Sequence, residues 1–331
     1  MLNYQKNRTK LFFATLALPS TAFGLALSVQ LSALSWILVT QFGLEIHDIG
    51  LVWAAGPLAG IFGQVIIGGL SDKAWFWNGR RRPFIVIGGT VAALSLLALP
   101  QIGVISNALG PEAIVGVALT IALTLDFAIN VGFNPTRSII ADVTPEGDDR
   151  TRGYTWMQTM SGSISVGGYA IGAIFDNFVL IYVGAFLVLI FTVVPPFFIE
   201  EPREIVAEDG VEREKTSFGE MLLSIQPLWG FLIYDTYAMT LRLAGIEVQH
   251  YYAEIVCGAL TLILAGKALL RNAADVGTTG AHHIEFQKVL AAHSFSWIGI
   301  HTTFVYMIVY GQQYFPTLSD IDAGRSVSLT F

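Results

Sequence analysis

Stretches of apolar residues long enough to cross a bilayer recur along almost the whole chain. They cover residues 11–40, 49–70, 84–105, 113–136, 154–175 and 178–199, then 228–246, 251–270 and 288–314. A further run opens near Gly324 and reaches only Phe331. About 20 residues of helix span the hydrocarbon core. The pattern therefore predicts an all-α polytopic membrane protein, with nine complete candidate spans and the start of a tenth. The polar connections carry the orientation. Lys and Arg number three before residue 11, none in 41–48, four in 71–83 and none in 106–112. They number three in 137–153, none at Asp176–Asn177 and three in 200–217. Cytoplasmic loops collect positive charge, so both ends of residues 1–199 are expected on the cytoplasmic side. The first run is too long for the apolar core of a signal peptide, and no small-residue cleavage site closes it.

Composition agrees and narrows the function classes. Of 331 residues, 53% are hydrophobic and 13% charged, with mean hydropathy +0.60. A soluble domain carries about 25% charged residues, so soluble enzymes and nucleic-acid binders are excluded. The net charge of −7 is local. Eight acids against three basic residues lie between Glu200 and Glu220, a balance of −5, which reads as a solvated linker. The single Cys257 sits in an apolar run and reads as a small packed residue. No phosphate-binding loop, nucleophile triad or metal-ligand spacing is present, and the dipeptide His282-His283 does not make a metal site by itself.

The spans divide into four parts: a six-helix half over 1–199, an acidic cytoplasmic linker over 200–227, a hydrophobic hairpin over 228–270 and a remainder over 271–331. The hairpin contains Asp235 and Arg242, seven residues apart and so on one helical face. It either enters and leaves the bilayer or docks at its interface, since opposite charges there cost least when paired or interfacial.

Local motifs sharpen this layout. Gly68-Gly69-Leu70-Ser71-Asp72-Lys73 closes the second span and Gly79-Arg80-Arg81-Arg82-Pro83-Phe84 opens the third. The pair resembles the loop 2–3 signature of the major facilitator superfamily, and Arg-Pro-Phe with the Ala74–Asn78 insert resembles its glycoside and sucrose–proton symporter branch. Gly56-Pro57-Leu58-Ala59-Gly60 is similar to that branch's second helix. Leu125-Asp126-Phe127-Ala128-Ile129-Asn130, Asn134-Pro135-Thr136-Arg137 and Ala141-Asp142 are similar to its fourth, and Gly168–Gly172 to its fifth. Phe295–Gly299 and Asp322–Arg325 resemble its seventh helix and the entry to its eighth. On that register 228–270 is an insertion between halves and 271–331 is the incomplete start of the second. The missing helices then belong to a longer chain or come from another one.

The resemblance implies a secondary transporter without a cofactor, whose partners are a small solute, a proton and the lipid bilayer, with no nucleic acid. It also implies alternating access and a bacterial inner membrane. Asp72, Lys73, Arg80, Arg81, Arg82, Arg137 and Asp142 would form the cytoplasmic gate, or the arginines would only enforce topology. An aspartate at the position of Asp126 is implicated in proton coupling in sucrose–proton symporters. Physics points the same way. A carboxylate near mid-bilayer is expensive and by default functional, although Asp126 could also serve only to bond a neighbouring helix. Asn130, one turn on, shares its face. Gln30 and Gln64 are solute contacts or interhelical glue. His293, Trp297 and His301 recur on one face; Trp297 could stack on a sugar ring, and His301 could contact solute or be a satisfied core histidine. Two rivals stand beside the sugar symporter: a facilitator for a metal ion or metal complex, and a non-transporting assembly partner.

Overall fold

The computed structural model describes the chain except residues 1–2, 46–47, 55, 57–58, 61–70, 72–73, 111–112, 204–221, 245, 247, 249, 273–277, 315–321, 323–324 and 326–331. Asp72, Lys73 and Gln64 therefore lie outside the described residues, as do the side chains of Arg242, Trp297 and His301. The described regular structure is helical, apart from one isolated bridge between Phe76 and Gly79. Contacts group into two units, residues 1–206 with 304–331 and residues 207–303.

In the first unit a short helix α1 (Asn3–Lys6) precedes α2 (Lys10–Thr40). Thr9 caps α2 by accepting from Phe12 N. At 1.5 Å per residue α2 is about 46 Å long, and it is buried on nearly every face. It packs chiefly on α7 (Asp148–Ile174), then on α8 (Asn177–Val193) and α6 (Ile114–Val143). The described helical residues 48–54, 56, 59–60 and 71 are referred to as α3. α4 (Arg82–Ala98) packs on α6 and α8. Pro100 closes α4 in a turn of 3-10 helix, and α5 (Ile102–Leu109) continues the same apolar run.

Small residues set these crossings. A Cβ on Gly132 would stand 1.9 Å from Cζ of Phe23, and one on Gly88 would stand 2.8 Å from the Ala128 carbonyl. The α2–α6 and α4–α6 contacts thus need glycine. α7 is the exception to apolarity. Its buried residues are Gly153, Met157, Gly168 and Gly172, while Gln158, Thr159 and Ser163 are exposed on the rest of its surface. It is not among the helices apolar enough to qualify as a span by composition. Asp176 caps α8 by accepting from Val179 N at 2.7 Å, so α7 and α8 join in a minimal turn.

In the second unit α9 (Trp229–Leu243) and α10 (Tyr252–Leu270) pack against each other. A Cβ on Gly230 would lie 2.4 Å from the Cys257 carbonyl, so the two backbones touch there. α9 has only 15 residues, about 22 Å, and ends three residues before the apolar run 228–246 does. That is short of the roughly 30 Å core. Asp235 is buried with Oδ2 unpartnered, and Tyr234 donates to Glu254 Oε1 at 3.1 Å. α11 (Thr278–Tyr314) starts ten residues before the predicted 288. His282 and His283 are therefore helical rather than in a loop, and Gln287 donates to the Leu223 carbonyl at 2.9 Å.

Candidate functional site

α6 places one carboxyl in the middle of an apolar helix. Asp126 is twelve residues from Ile114 and seventeen from Val143, about 18 and 26 Å along the axis. Two elements close on it. A Cβ on Gly56 of α3 would stand 3.4 Å from Asp126 Oδ2, so α3 passes within contact distance of the carboxyl. One turn along each helix the arrangement repeats, with Gly60 3.8 Å from the Asn130 amide by the same measure. Asn130 Nδ2 donates to the Asp126 carbonyl at 2.8 Å, which fixes its amide on the same face.

From α2, Gln30 approaches the Asp126 carboxyl. Gln30 is fully buried, and neither its amide oxygen nor its nitrogen meets a partner at hydrogen-bond geometry. A buried primary amide is costly without a partner, and this one lies beside the acid at the middle of α6. Ser28, two residues earlier, donates to the Gly24 carbonyl at 3.1 Å and lies within reach of the Tyr169 hydroxyl from α7. Ser35 accepts from Trp53 Nε1 at 2.7 Å, tying α2 to α3. The polar groups placed beside Asp126 are thus the amides of Gln30 from α2 and Asn130 from α6, while Ser28 and Tyr169 meet where α2 packs on α7. Of the intramembrane candidates, Asp126, Asn130 and Gln30 come together. His293 is exposed on α11 in the second unit. Tyr169 was not singled out, because one tyrosine in the run Gly168–Gly172 looks like an interfacial anchor.

A second polar cluster forms where α4 begins. Arg81 Nε meets Asp142 Oδ2 at 3.0 Å, and Arg81 Nη1 donates to Ser71 Oγ at 2.7 Å. The two charged side chains are 5% and 12% exposed. Arg82 donates to the carbonyls of Trp77 at 3.2 Å and Ile199 at 2.7 Å, and Arg80 to that of Arg203 at 3.3 Å. Arg137 does not join them: it stacks on Phe133 with its guanidinium carbon 4.5 Å from the ring centroid.

The centre of this cluster is Glu201, which the charge pattern assigns to a solvated linker. Its Oε2 accepts from the backbone N–H of Arg80 at 2.8 Å and of Arg81 at 2.7 Å, and its Oε1 from that of Arg82 at 2.9 Å. A carboxylate is favoured at a helix N-terminus, where unpaired N–H groups and the helix dipole converge. The residues just before the linker are bound as well. Gln5 exchanges hydrogen bonds with the backbone of Glu200 at 2.9 and 3.1 Å, and Tyr4 donates to the Phe198 carbonyl. Burial and the nearby Glu200 carboxylate raise the pKa of the Tyr4 phenol.

Three relatives place this architecture. Sucrose transport protein SUC4 of Arabidopsis thaliana is 35% identical over 161 residues, covering 46% of this chain and 30% of that protein. The general alpha-glucoside permease of Schizosaccharomyces pombe is 32% identical over 232 residues, 65% of this chain and 41% of the permease. Proton-associated sugar transporter A of Mus musculus is 32% identical over 139 residues, 40% and 18% of the two chains. The chain spans less than half the length of these relatives. The Major Facilitator Superfamily matches residues 16–315, from α2 to beyond the end of α11. With mid-helix Asp126 and, among the described residues, five helices long and apolar enough to cross a membrane, the chain is an integral, multi-pass membrane protein and belongs to the Major Facilitator Superfamily, a family of transporters and not of enzymes.

Proposed function

We propose that the chain works in proton-coupled symport of a sugar or glycoside by alternating access. The observation that carries this reading is Asp126 at mid-span, faced by Gly56, Asn130 and the buried Gln30 amide. A carboxyl in a dry site gains by holding a proton, and it releases the proton when the cavity opens to water. Primary amides, which carry both a donor and an acceptor, match the hydroxyls of a polyol better than they match a metal ion. The printed functions of the relatives, sucrose transport, alpha-glucoside permeation and proton-associated sugar transport, agree with that chemistry. Asp126 then carries the proton, Gln30 and Asn130 face the solute, and Arg81 with Asp142 holds the end of the bundle shut between turnovers.

Purified chain in proteoliposomes tests the reading. A pH gradient with the acid side outside is expected to drive accumulation of labelled sucrose or maltose, and collapsing the gradient to stop it. Asp126→Asn is expected to abolish accumulation while leaving exchange at or below the wild-type rate. Proton-driven uptake in Asp126→Asn equal to that of the wild type would sink the assignment. Absence of flux with any sugar in the wild type would favour a different cargo or an assembly role.

A further inference from the structure

The turn between α3 and α4 carries three neighbouring aromatic residues that the transport reading does not use. We propose that Trp75, Phe76 and Trp77 form a rigid interfacial anchor, seated in the boundary between headgroups and acyl chains of the bilayer at this end of the bundle.

The turn is built, not loose. Phe76 and Gly79 exchange both backbone hydrogen bonds, at 3.1 and 3.2 Å, around the two-residue loop Trp77–Asn78. Both loop residues have positive φ, +52° and +56°, as the tightest hairpin turns require. Asn tolerates that conformation, but a bulky residue such as Trp rarely adopts it. The turn is fastened from α4, because Arg82 Nη1 donates to the Trp77 carbonyl and the Phe76 ring meets Phe84 edge-on at 5.9 Å. Trp77 packs on Phe76 at 5.6 Å, and Ala74 rests on the Phe84–Val131 pair. The result is a fixed display of three aromatics that are 37%, 38% and 57% exposed.

Lipid is the occupant that fits. The turn opens directly into α4, whose exposed Ile87, Leu94 and Leu97 form an apolar outer face, so the aromatics lie at the rim of the hydrocarbon region. Indole rings are enriched at that depth because one edge is polar and the rest apolar. Arg80 and the exposed Arg203 flank the turn and complement lipid phosphates. Anchored there, the turn also hands a fixed carbonyl to Arg82, next to the Arg81–Asp142 pair.

The test compares wild type with Trp75→Phe/Trp77→Phe, two conservative changes at exposed positions that leave the other five tryptophans as a common background. Both proteins are reconstituted in phosphatidylcholine vesicles, with and without lipid brominated high on its acyl chains. The wild-type minus variant emission isolates the two indoles. It is expected to be blue-shifted and to fall at least about twofold in brominated vesicles, as for indoles at interfacial depth. A difference emission unaffected by bromolipid overturns the proposal. Red-shifted and quenched by aqueous acrylamide, it places the turn in water; shielded from both quenchers, it places it against protein, whether another part of the chain, a second copy or a partner.

Discussion

At the scale of single residues, Asp126 and Asn130 could be read directly from the sequence. An acid inside a 24-residue apolar run is conspicuous, and a spacing of four puts Asn130 on its face. Gln30 and Gln64 looked equivalent as sequence; only packing of α2 on α6 shows Gln30 beside the carboxyl. The roles of the glycines were not readable either, because the same residue type serves two ends. Gly60 has room for a methyl group at ordinary contact distance, whereas the space beside Gly132 is filled by the Phe23 ring. Gly132→Ala is therefore expected to cost about 1–3 kcal/mol, as overpacking does, and Gly60→Ala to be near neutral. Thermal unfolding of the two variants in detergent measures the contrast, and equal midpoints would contradict the crossing geometry.

At the scale of elements, hydropathy found the helices but not all of their ends. α11 begins at Thr278 because the polar segment Thr278–Gln287 continues the helix outside any apolar run, held by Gln287 on the Leu223 carbonyl. α9 ends at Leu243, where Gly245 soon follows and helix propensity falls. Glu201 was hidden for a different reason. Among eight acids in a row of polar residues, nothing in the sequence marks the one whose carboxylate meets the start of α4. Three accepted N–H bonds at a helix N-terminus give Glu201 a stabilising role. Glu201→Ala is expected to lose about 1–3 kcal/mol, the worth of a cap with charge-assisted hydrogen bonds. Glu146→Ala, which removes an exposed i,i+4 pair with Arg150, is expected to lose under about 0.5 kcal/mol. Denaturant titration of both variants separates the cap from a general effect of removing acid, since the latter predicts equal losses.

At the scale of the whole molecule, alternating access needs contacts strong enough to hold one state and local enough to break in the other. The Arg81–Asp142 pair has that character. Its charges are nearly buried and meet at 3.0 Å, and Ser71 ties the guanidinium to α3 as well. Losing Arg81 strips the nearly buried Asp142 carboxylate of this ion pair, at a cost of about 3–5 kcal/mol. Losing both leaves neither charge stranded. Arg81→Gln and Asp142→Asn are therefore each expected to raise amide hydrogen exchange across residues 74–83 and 137–153. The double variant should exchange more slowly than the sum of the two effects predicts, with a coupling of about 1–3 kcal/mol. If the pair only fixed topology, the two effects would add and sugar flux would follow protein abundance alone. If it is a latch, the single variants lose accumulation out of proportion to abundance, because a bundle that cannot close at this end lets the bound proton and solute escape before the opposite side opens.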